Sequence, residues 1–328
     1  MFIRVLELIK KSNNIAILTH DNADGDAIGS ALMLDEFIKL NYPNKNVDIF
    51  TDSTNISENF QAMLGNIVVN PVEKNYQLAI SVDCADNGRF EKYNHVFAKA
   101  DFTVNIDHHK DNAQYADLNF VSNMSSNCEH LFYLLKATSL KINKRLASCA
   151  CVGVLTDSME LSIPTVTAQT YKLMTEFLAL GVDVYGIRKM LFSGKDLPVF
   201  KLISTALNNA EFLCDNRVLF ININKRDIQK CRATEEQVSE VISNVFYMSK
   251  CLACFLVSPR KSYWHVSMRC VDGLNVNVIA KSMGGGGHIC ASATNTRISI
   301  TNMKTLIESE MTKQINNYTS PNHAKFFE

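Results

Sequence analysis

What this 328-residue chain lacks narrows it first. No sign of charge prevails: 33 Lys plus Arg balance 33 Asp plus Glu, so the formal net charge is zero. That balance gives no electrostatic case for gripping long nucleic acid or an anionic membrane, though it leaves room for a local basic groove. No apolar run reaches the roughly 18–20 residues of a membrane span. The start, Met-Phe-Ile-Arg-Val-Leu-Glu-Leu-Ile-Lys-Lys, carries charge at helical spacing and lacks the apolar core of a signal peptide, so a cytoplasmic location is expected. There are no internal repeats and no long low-complexity segments. Ten cysteines are present without a second pair at zinc-finger spacing. Cys149 and Cys151 lie in one apolar run and Cys251 and Cys254 in another, which reads as reduced core thiols.

Three familiar loops are missing as well. No Gly-Lys-Ser/Thr follows the glycine cluster at 284–287, which excludes a P-loop. The turn after the first expected strand holds acids where a dinucleotide-binding fold has glycines, and acids there would repel a pyrophosphate without a metal. Asp24-Gly25-Asp26 lacks the further oxygen ligands and terminal Glu of an EF-hand loop.

What is present is an ordinary globular composition, 47% hydrophobic, in a chain long enough for two domains. Apolar periodicity predicts helices at Phe2–Lys11, Ala27–Leu40, Ser126–Ala137 and Lys144–Leu155. Between them it predicts strands at Ile15–Thr19, Val47–Thr51, Leu78–Val82 and Phe102–Ile106. Such alternation predicts a mainly parallel sheet flanked by helices. Helices are then expected at Thr167–Leu180, Val184–Phe192 and Leu197–Asn209. Beyond them come strands at Arg217–Ile223, Leu252–Val257 and Trp264–Cys270, with helices at Glu235–Phe246, Val276–Ser282 and Asn302–Ile315. The expected class is α/β in two domains: a larger N-terminal domain (1–185), a helical connector (186–212) and a smaller C-terminal α/β domain (213–328).

Acids and imidazoles cluster at the ends of the apolar runs. His20, Asp24 and Asp26 follow the first strand, Asp83 ends Leu-Ala-Ile-Ser-Val-Asp, and Asp107-His108-His109 ends the fourth strand. Asp157 ends Ala-Cys-Val-Gly-Val-Leu-Thr-Asp. In a parallel sheet these ends share one edge. Each acid alone could be a helix cap or turn former, and the adjacent histidines a surface pair. Together they point to a divalent-metal cluster, because crowded carboxylates repel one another until cations neutralise them.

Met283 is followed by Gly284, Gly285, Gly286, Gly287 and His288. Four glycines exceed what a helix C-cap needs and let backbone amides approach an anion. Arg269, on an expected strand, could make a bidentate phosphate contact, and Arg89 is a second phosphate-binding candidate.

With these motifs the chain resembles the DHH phosphoesterases, from His20 to about Ala293, with a second half like the DHH-associated domain. Order and length are most similar to the bacterial bifunctional nano-RNase/pAp phosphatase branch. The resemblance implies two divalent cations, Mn²⁺ ahead of Mg²⁺. His20, Asp24 and Asp83 would hold one; Asp26, Asp83, His108 and Asp157 would hold the other. It implies His109 beside the scissile phosphate, with Asp107 orienting the histidines. Arg269 and Gly284–His288 would grip the substrate's other phosphate across an interdomain cleft. The implied reaction is in-line water attack on short oligoribonucleotides, giving nucleoside 5′-monophosphates, or on 3′-phosphoadenosine 5′-phosphate (pAp), giving AMP. A homodimer is compatible with the chain. Hydrolysis of linear or cyclic dinucleotide messengers is the alternative within the class, and a non-catalytic nucleotide sensor the alternative outside it. The chain departs from the family pattern at Ala23, at Ser158-Met159-Glu160-Leu161 and at Ala293, which bears on substrate preference more than on chemistry.

Overall fold

The computed structural model describes residues 3–51, 69–192, 196–235 and 237–319. The chain divides into two compact units, residues 1–193 and 194–328.

The first unit contains α1 (Ile3–Lys11), β1 (Asn14–Leu18), α2 (Gly25–Asn41), β2 (Asn46–Phe50), β3 (Leu78–Val82) and α3 (Asn94–Ala98). It continues with β4 (Phe102–Asp107), β5 (Leu118–Val121), α4 (Asn127–Lys136), α5 (Lys144–Asp157), α6 (Ala168–Ala179) and α7 (Val184–Phe192). The sheet order is β2-β1-β3-β4-β5 and every pairing is parallel, the arrangement the alternation predicted. The central strands β1 and β3 are near-continuous apolar runs because both faces are covered. On one face Ile15, Ile17, Ile80, Val104 and Ile106 pack with side chains of α1, α2, α4, α5 and α6. On the other, Ala16, Leu18 and Ala79 meet Phe90, Tyr93, Val96 and Phe97. Alternate residues of a strand face opposite ways, so one short run feeds both cores.

The order places β2 and β3 on opposite sides of β1. The chain turns back between β1 and β3, and crevices outside the carboxyl ends of strands at such a reversal are where open α/β sheets bind ligands. The register aligns those ends, with Leu18 opposite Ser81 and Val82 opposite Ile106.

The second unit contains α8 (Leu197–Asn208), β6 (Ala210–Leu213), β7 (Val218–Asn222), α9 (Lys225–Cys231), α10 (Val241–Met248) and β8 (Ala253–Pro259). It ends with β9 (Trp264–Cys270), α11 (Val276–Ser282), β10 (Gly286–Gly287), β11 (Ala291–Thr296) and α12 (Ile300–Asn316). Its sheet runs β10-β11-β9-β8-β7-β6, antiparallel except for the parallel β7–β8 pair. Side chains of α11 and α12 cover one face, those of α8, α9 and α10 the other.

Several elements differ from expectation. The helix expected at Glu235–Phe246 is a 3-10 turn, Gln237–Glu240, followed by α10. β5, β6, β10 and β11 were not expected; β11 reads Ala-Ser-Ala-Thr-Asn-Thr, too polar to announce a strand. Within 186–212, α7 packs Ile187 and Leu191 on the first core, and α8 packs Leu202 and Ala206 into a core of the second unit. Cys149, Cys151, Cys251 and Cys254 are free and buried, as expected. No described helix is long and apolar enough to cross a membrane.

Candidate metal centre

Strand ends and helix ends of the first unit build one cluster. The loops after β1, β3 and β4 deliver His20, Asp83, His108 and His109 to the carboxyl edge of the sheet. Asp24 and Asp26 enter from the start of α2. Asp24 is its N-cap: Oδ1 accepts the amides of Asp26 at 3.0 Å and Ala27 at 3.1 Å. A carboxylate is favoured there because the amides of the first helical turn lack partners and the helix dipole is positive at that end. Asp157 is the last residue of α5, the helix expected at Lys144–Leu155.

Asp83 is the centre of the cluster. It sits beyond β3 at φ +58°, the left-handed region that Asp tolerates better than most residues. Its Oδ2 lies 3.6 Å from His20 Nε2, and its Oδ1 lies 3.4 Å from His108 Nε2 and 3.8 Å from His109 Nδ1. His20 Nε2 is also 3.9 Å from Asp24 Oδ1. His108 Nε2 is 3.9 Å from Asp26 Oδ2 and 3.6 Å from Asp157 Oδ2. Among the described residues the donor atoms form three groups within metal-holding reach: His20–Asp24–Asp83, Asp26–His108–Asp157 and Asp83–His108–His109. Asp83 Oδ1 is buried and has no hydrogen-bond partner. Such an oxygen is costly to leave unsatisfied, and oxygen with imidazole nitrogen is a donor set that divalent cations accept. The residues present therefore fit a metal.

Hydrogen bonds fix the rings. His20 Nδ1 donates to the Asp21 carbonyl at 2.8 Å, and His108 Nδ1 to the Met124 carbonyl at 3.3 Å. Both rings therefore turn Nε2 toward the acids. His109 Nδ1 donates to Asp107 Oδ1 at 2.8 Å, which occupies that nitrogen and leaves Nε2. Asp107 is fully buried, and its Oδ2 accepts Asn112 Nδ2 at 2.6 Å. Asn112 also donates to Asn105 Oδ1 at 2.8 Å, and Asn105 donates to Ser81, Cys84 and Tyr115 beneath the site. His130 Nδ1 donates to the Asp107 carbonyl at 3.2 Å.

The charges are strongly coupled. Burial alone would raise Asp83, but His108 and His20 outweigh it and hold the acid at about 2. Burial would lower both imidazoles, yet Asp83 leads the opposing influences, lifting His20 to about 9 and His108 to about 10. The bond to Asp107 raises His109. Burial is the main cause that raises Asp157 to about 6 and pushes Asp26 well above the usual carboxylate range. Without cations the acids favour the charged form of the imidazoles, while burial favours the neutral form of Asp26.

Asp26 is held from behind. Oδ2 accepts the Asn127 amide at 2.6 Å and Oδ1 the Cys128 amide at 2.8 Å, both at the start of α4. Gly153 of α5 makes the room: a Cβ there would stand 2.3 Å from Cys128 Sγ and 2.5 Å from Asp26 Oδ1. Gly153, Asn112, Asn105, His130 and the α4 amides escaped the sequence reading. Gly153, His130 and the α4 amides meet partners more than twenty positions away, and Asn112 meets Asp107 only through the turn after β4, so no local pattern marks them.

The other expected residues are placed as follows. Arg89 is exposed in the 3-10 turn Asn87–Tyr93, and its carbonyl accepts the Asp21 amide at 2.6 Å, bracing the loop that carries His20. In the second unit, Arg269 lies on β9 opposite Ala291 of β11. Its Nη1 donates to the Met268 carbonyl at 2.9 Å, its Nε is buried without a partner, and burial lowers its pKa. It forms no salt bridge among the described residues. Gly284 ends α11 at φ +82°, the cap conformation glycine favours. Gly285 packs so closely that a Cβ would be 2.3 Å from the Ala293 carbonyl; at Gly287 the Ala291 carbonyl would be 2.7 Å away. At Gly286 a Cβ would meet nothing within 4 Å. His288 is exposed, with its amide donated to Ala291.

Comparison with known proteins agrees with this geometry. Residues 14–154 match the family described as DHH family, N-terminal domain. A probable bifunctional oligoribonuclease and PAP phosphatase NrnA of Streptococcus mutans is 26% identical over 300 residues, 90% of this chain and 93% of that one. The bifunctional oligoribonuclease and PAP phosphatase NrnA of Bacillus subtilis is 25% identical over 296 residues, 89% of this chain and 92% of that one. An exopolyphosphatase-related protein from Bacteroides fragilis shares the fold, with a TM-score of 0.87 over 95% of both chains at 19% identity. RecJ of Thermus thermophilus, solved with Mn²⁺, has a TM-score of 0.63 at 13% identity over 98% of this chain and 55% of its own. The family match spans every residue of the cluster except Asp157, three positions beyond its end. Residues 14–154 are thus similar to the N-terminal domain of the DHH family.

Proposed function

We propose that this protein is a metal-dependent phosphoesterase acting on short oligoribonucleotides, on pAp, or on both. The observation that carries the reading is the Asp83 carboxylate, whose Oδ2 faces His20 and whose Oδ1, buried without a hydrogen-bond partner, faces His108. An acid so placed is suited to bridging two cations. His20, Asp24 and Asp83 would hold one, and Asp26, Asp83, His108 and Asp157 the other. Mn²⁺ is preferred to Mg²⁺ because two imidazoles join the carboxylates. Bound there, the cations would supply an activated water and neutralise charge developing on phosphorus.

The chain's own residues do the rest. Asp107 holds His109 by Nδ1, so Nε2 is the atom that would donate to the scissile phosphate or pass a proton to the leaving oxygen. Asn112 holds Asp107 in turn. Arg89 is a further candidate for a phosphate contact. In the second unit, Arg269 keeps a cationic group largely buried and without a carboxylate, as a binder of an anionic ligand would. Gly286 is the one glycine of its run that neither φ nor packing requires, which favours close approach of a ligand to its backbone. These groups would bind the substrate's remaining phosphate and terminal nucleotide. The names of the Streptococcus mutans and Bacillus subtilis relatives support oligoribonucleotides and pAp as the substrate classes.

The test is Asp83→Asn, which keeps the shape and removes the charge. Mn²⁺-dependent release of mononucleotides from a ribodinucleotide and of phosphate from pAp should vanish in the variant while its circular dichroism stays that of the parent. Retained turnover would refute the bridging role. Including a cyclic dinucleotide and pyrophosphate in the same assay separates the alternative substrates.

A further inference from the structure

The second unit has a cavity that the reading above does not use. About 380 Å³ in volume, it is lined by Lys225, Pro259, Arg260, Ser262, Tyr263, Trp264 and Arg297. These residues come from the start of α9, the β8–β9 connection and the end of β11. They converge because β7 and β8 are parallel and β9 and β11 antiparallel to their neighbours, which brings the four chain ends to one sheet edge. Arg269 and the glycine run lie toward the other edge. Arg269 pairs with Ala291 and Trp264 with Thr296, so five residues, or about 17 Å of strand, separate them.

Three cationic side chains and two aromatic rings face this cavity, and none of its lining residues is acidic. Glu235 approaches Arg260 Nε only at 3.9 Å, while Arg260 Nη1 is held by Ser258 Oγ at 3.3 Å and the Pro259 carbonyl at 3.2 Å. Those bonds fix the guanidinium without neutralising it. Arginine offers planar paired donors suited to phosphate, and aromatic rings offer faces on which a base stacks. The volume falls in the range of small-ligand sites, about 300–1,000 Å³. Neither feature alone singles out a ligand. Cations and aromatic rings lining one cavity match a molecule that carries phosphate and a flat ring.

We propose that this cavity is a second nucleotide-binding site, separate from Arg269 and the glycine run, which takes a nucleoside phosphate. Its phosphates contact Arg260, Arg297 and Lys225, and its base lies on Tyr263 and Trp264.

Trp264 is the chain's single tryptophan, so its fluorescence reports on this cavity alone. The experiment titrates ADP into the full chain in excess EDTA, which keeps the metal centre out of play, and follows tryptophan emission. Saturable quenching is expected. It should weaken about tenfold or more in Arg260→Ala and again in the Arg260→Ala/Arg297→Ala pair, the loss expected of one charge-assisted contact each. Arg269→Ala should leave it unchanged. Equilibrium dialysis with labelled ADP on the same variants repeats the reading without the fluorophore, and thermal melting confirms that each variant is folded. Absence of saturable binding to the parent chain overturns the proposal, as does full binding by the folded double variant or loss of binding in Arg269→Ala. Adenosine binding as tightly as ADP overturns the cationic part, and pyrophosphate binding as tightly as ADP overturns the aromatic part.

Discussion

Replacing Gly153 with Ala tests whether the centre depends on packing that no ligand list includes. The position is helical with ordinary φ, so propensity alone favours Ala by about 1 kcal/mol. Against this, the new methyl would stand 2.3 Å from Cys128 Sγ and 2.5 Å from Asp26 Oδ1, distances that real Cβ atoms do not tolerate. Overpacking of this kind costs about 1–3 kcal/mol. The net change in stability of the metal-free protein should therefore be small, from near zero to about 2 kcal/mol destabilising. Metal binding should suffer more. Asp26 is clamped by the amides of Asn127 and Cys128, so the methyl has to displace the carboxylate or the start of α4, and misplacing a ligand's support lowers affinity by about 10–100-fold. Calorimetric titration with Mn²⁺ and thermal unfolding in EDTA separate the two effects. Cys128→Ala in the same chain removes the sulfur clash but leaves the carboxylate clash and one with the residue 128 Cβ at 2.7 Å, so the double variant should recover part of the stability and none of the affinity. A Gly153→Ala protein that melts higher than its parent and binds Mn²⁺ as tightly would refute the reasoning.

Other outcomes follow from the same geometry. With His20 raised to about 9 and His108 to about 10, the stability they lend the metal-free protein is complete below their unfolded pKa, about 6.5, and is lost as pH rises through 9 and 10. The raised Asp26 acts in the same direction, so melting temperature in EDTA should fall between pH 7 and 10, and a flat profile would count against the coupling. Loading the centre costs each imidazole its Nε2 proton, so Mn²⁺ affinity should rise about tenfold per pH unit for each proton displaced up to about pH 9, read by titration in buffers of different ionisation heat. Asp107→Asn should lower kcat by about 10–100-fold with Mn²⁺ affinity kept, because it loosens His109 and touches no proposed ligand; an unchanged kcat would remove Asp107 from the mechanism. Gly285→Ala should destabilise the second unit by about 1–3 kcal/mol, whereas Gly286→Ala should leave melting within about 0.5 kcal/mol and weaken substrate binding; equal effects on melting would undo the assignment of Gly286 to a ligand.

The sequence by itself determined what local chemistry can announce. Apolar runs of strand length separated by amphipathic segments predicted a parallel α/β unit, because a strand buried on both faces has to be apolar throughout. Acids and imidazoles at the ends of those runs marked the centre, since residues at strand ends have no core to fill, and the DHH triplet and glycine run carried the family resemblance. Polar or short strands such as β5, β6 and β11 gave no such signal. The tertiary structure decided what depends on distant neighbours. The order β2-β1-β3 set His20 beside Asp83, and α5 brought Asp157 in from a helix end. Gly153 opened the space that Asp26 fills, and Asn112 fixed the Asp107 carboxylate that accepts from His109. The cationic, aromatic cavity around Trp264 assembles from chain segments up to about seventy residues apart, from Lys225 to Arg297, and each of its residues alone reads as ordinary surface. The division has one physical reason. Propensity and patterning act through near neighbours in the chain, whereas an orphaned oxygen, a close helix crossing or a shared carboxylate exists only once the chain has folded.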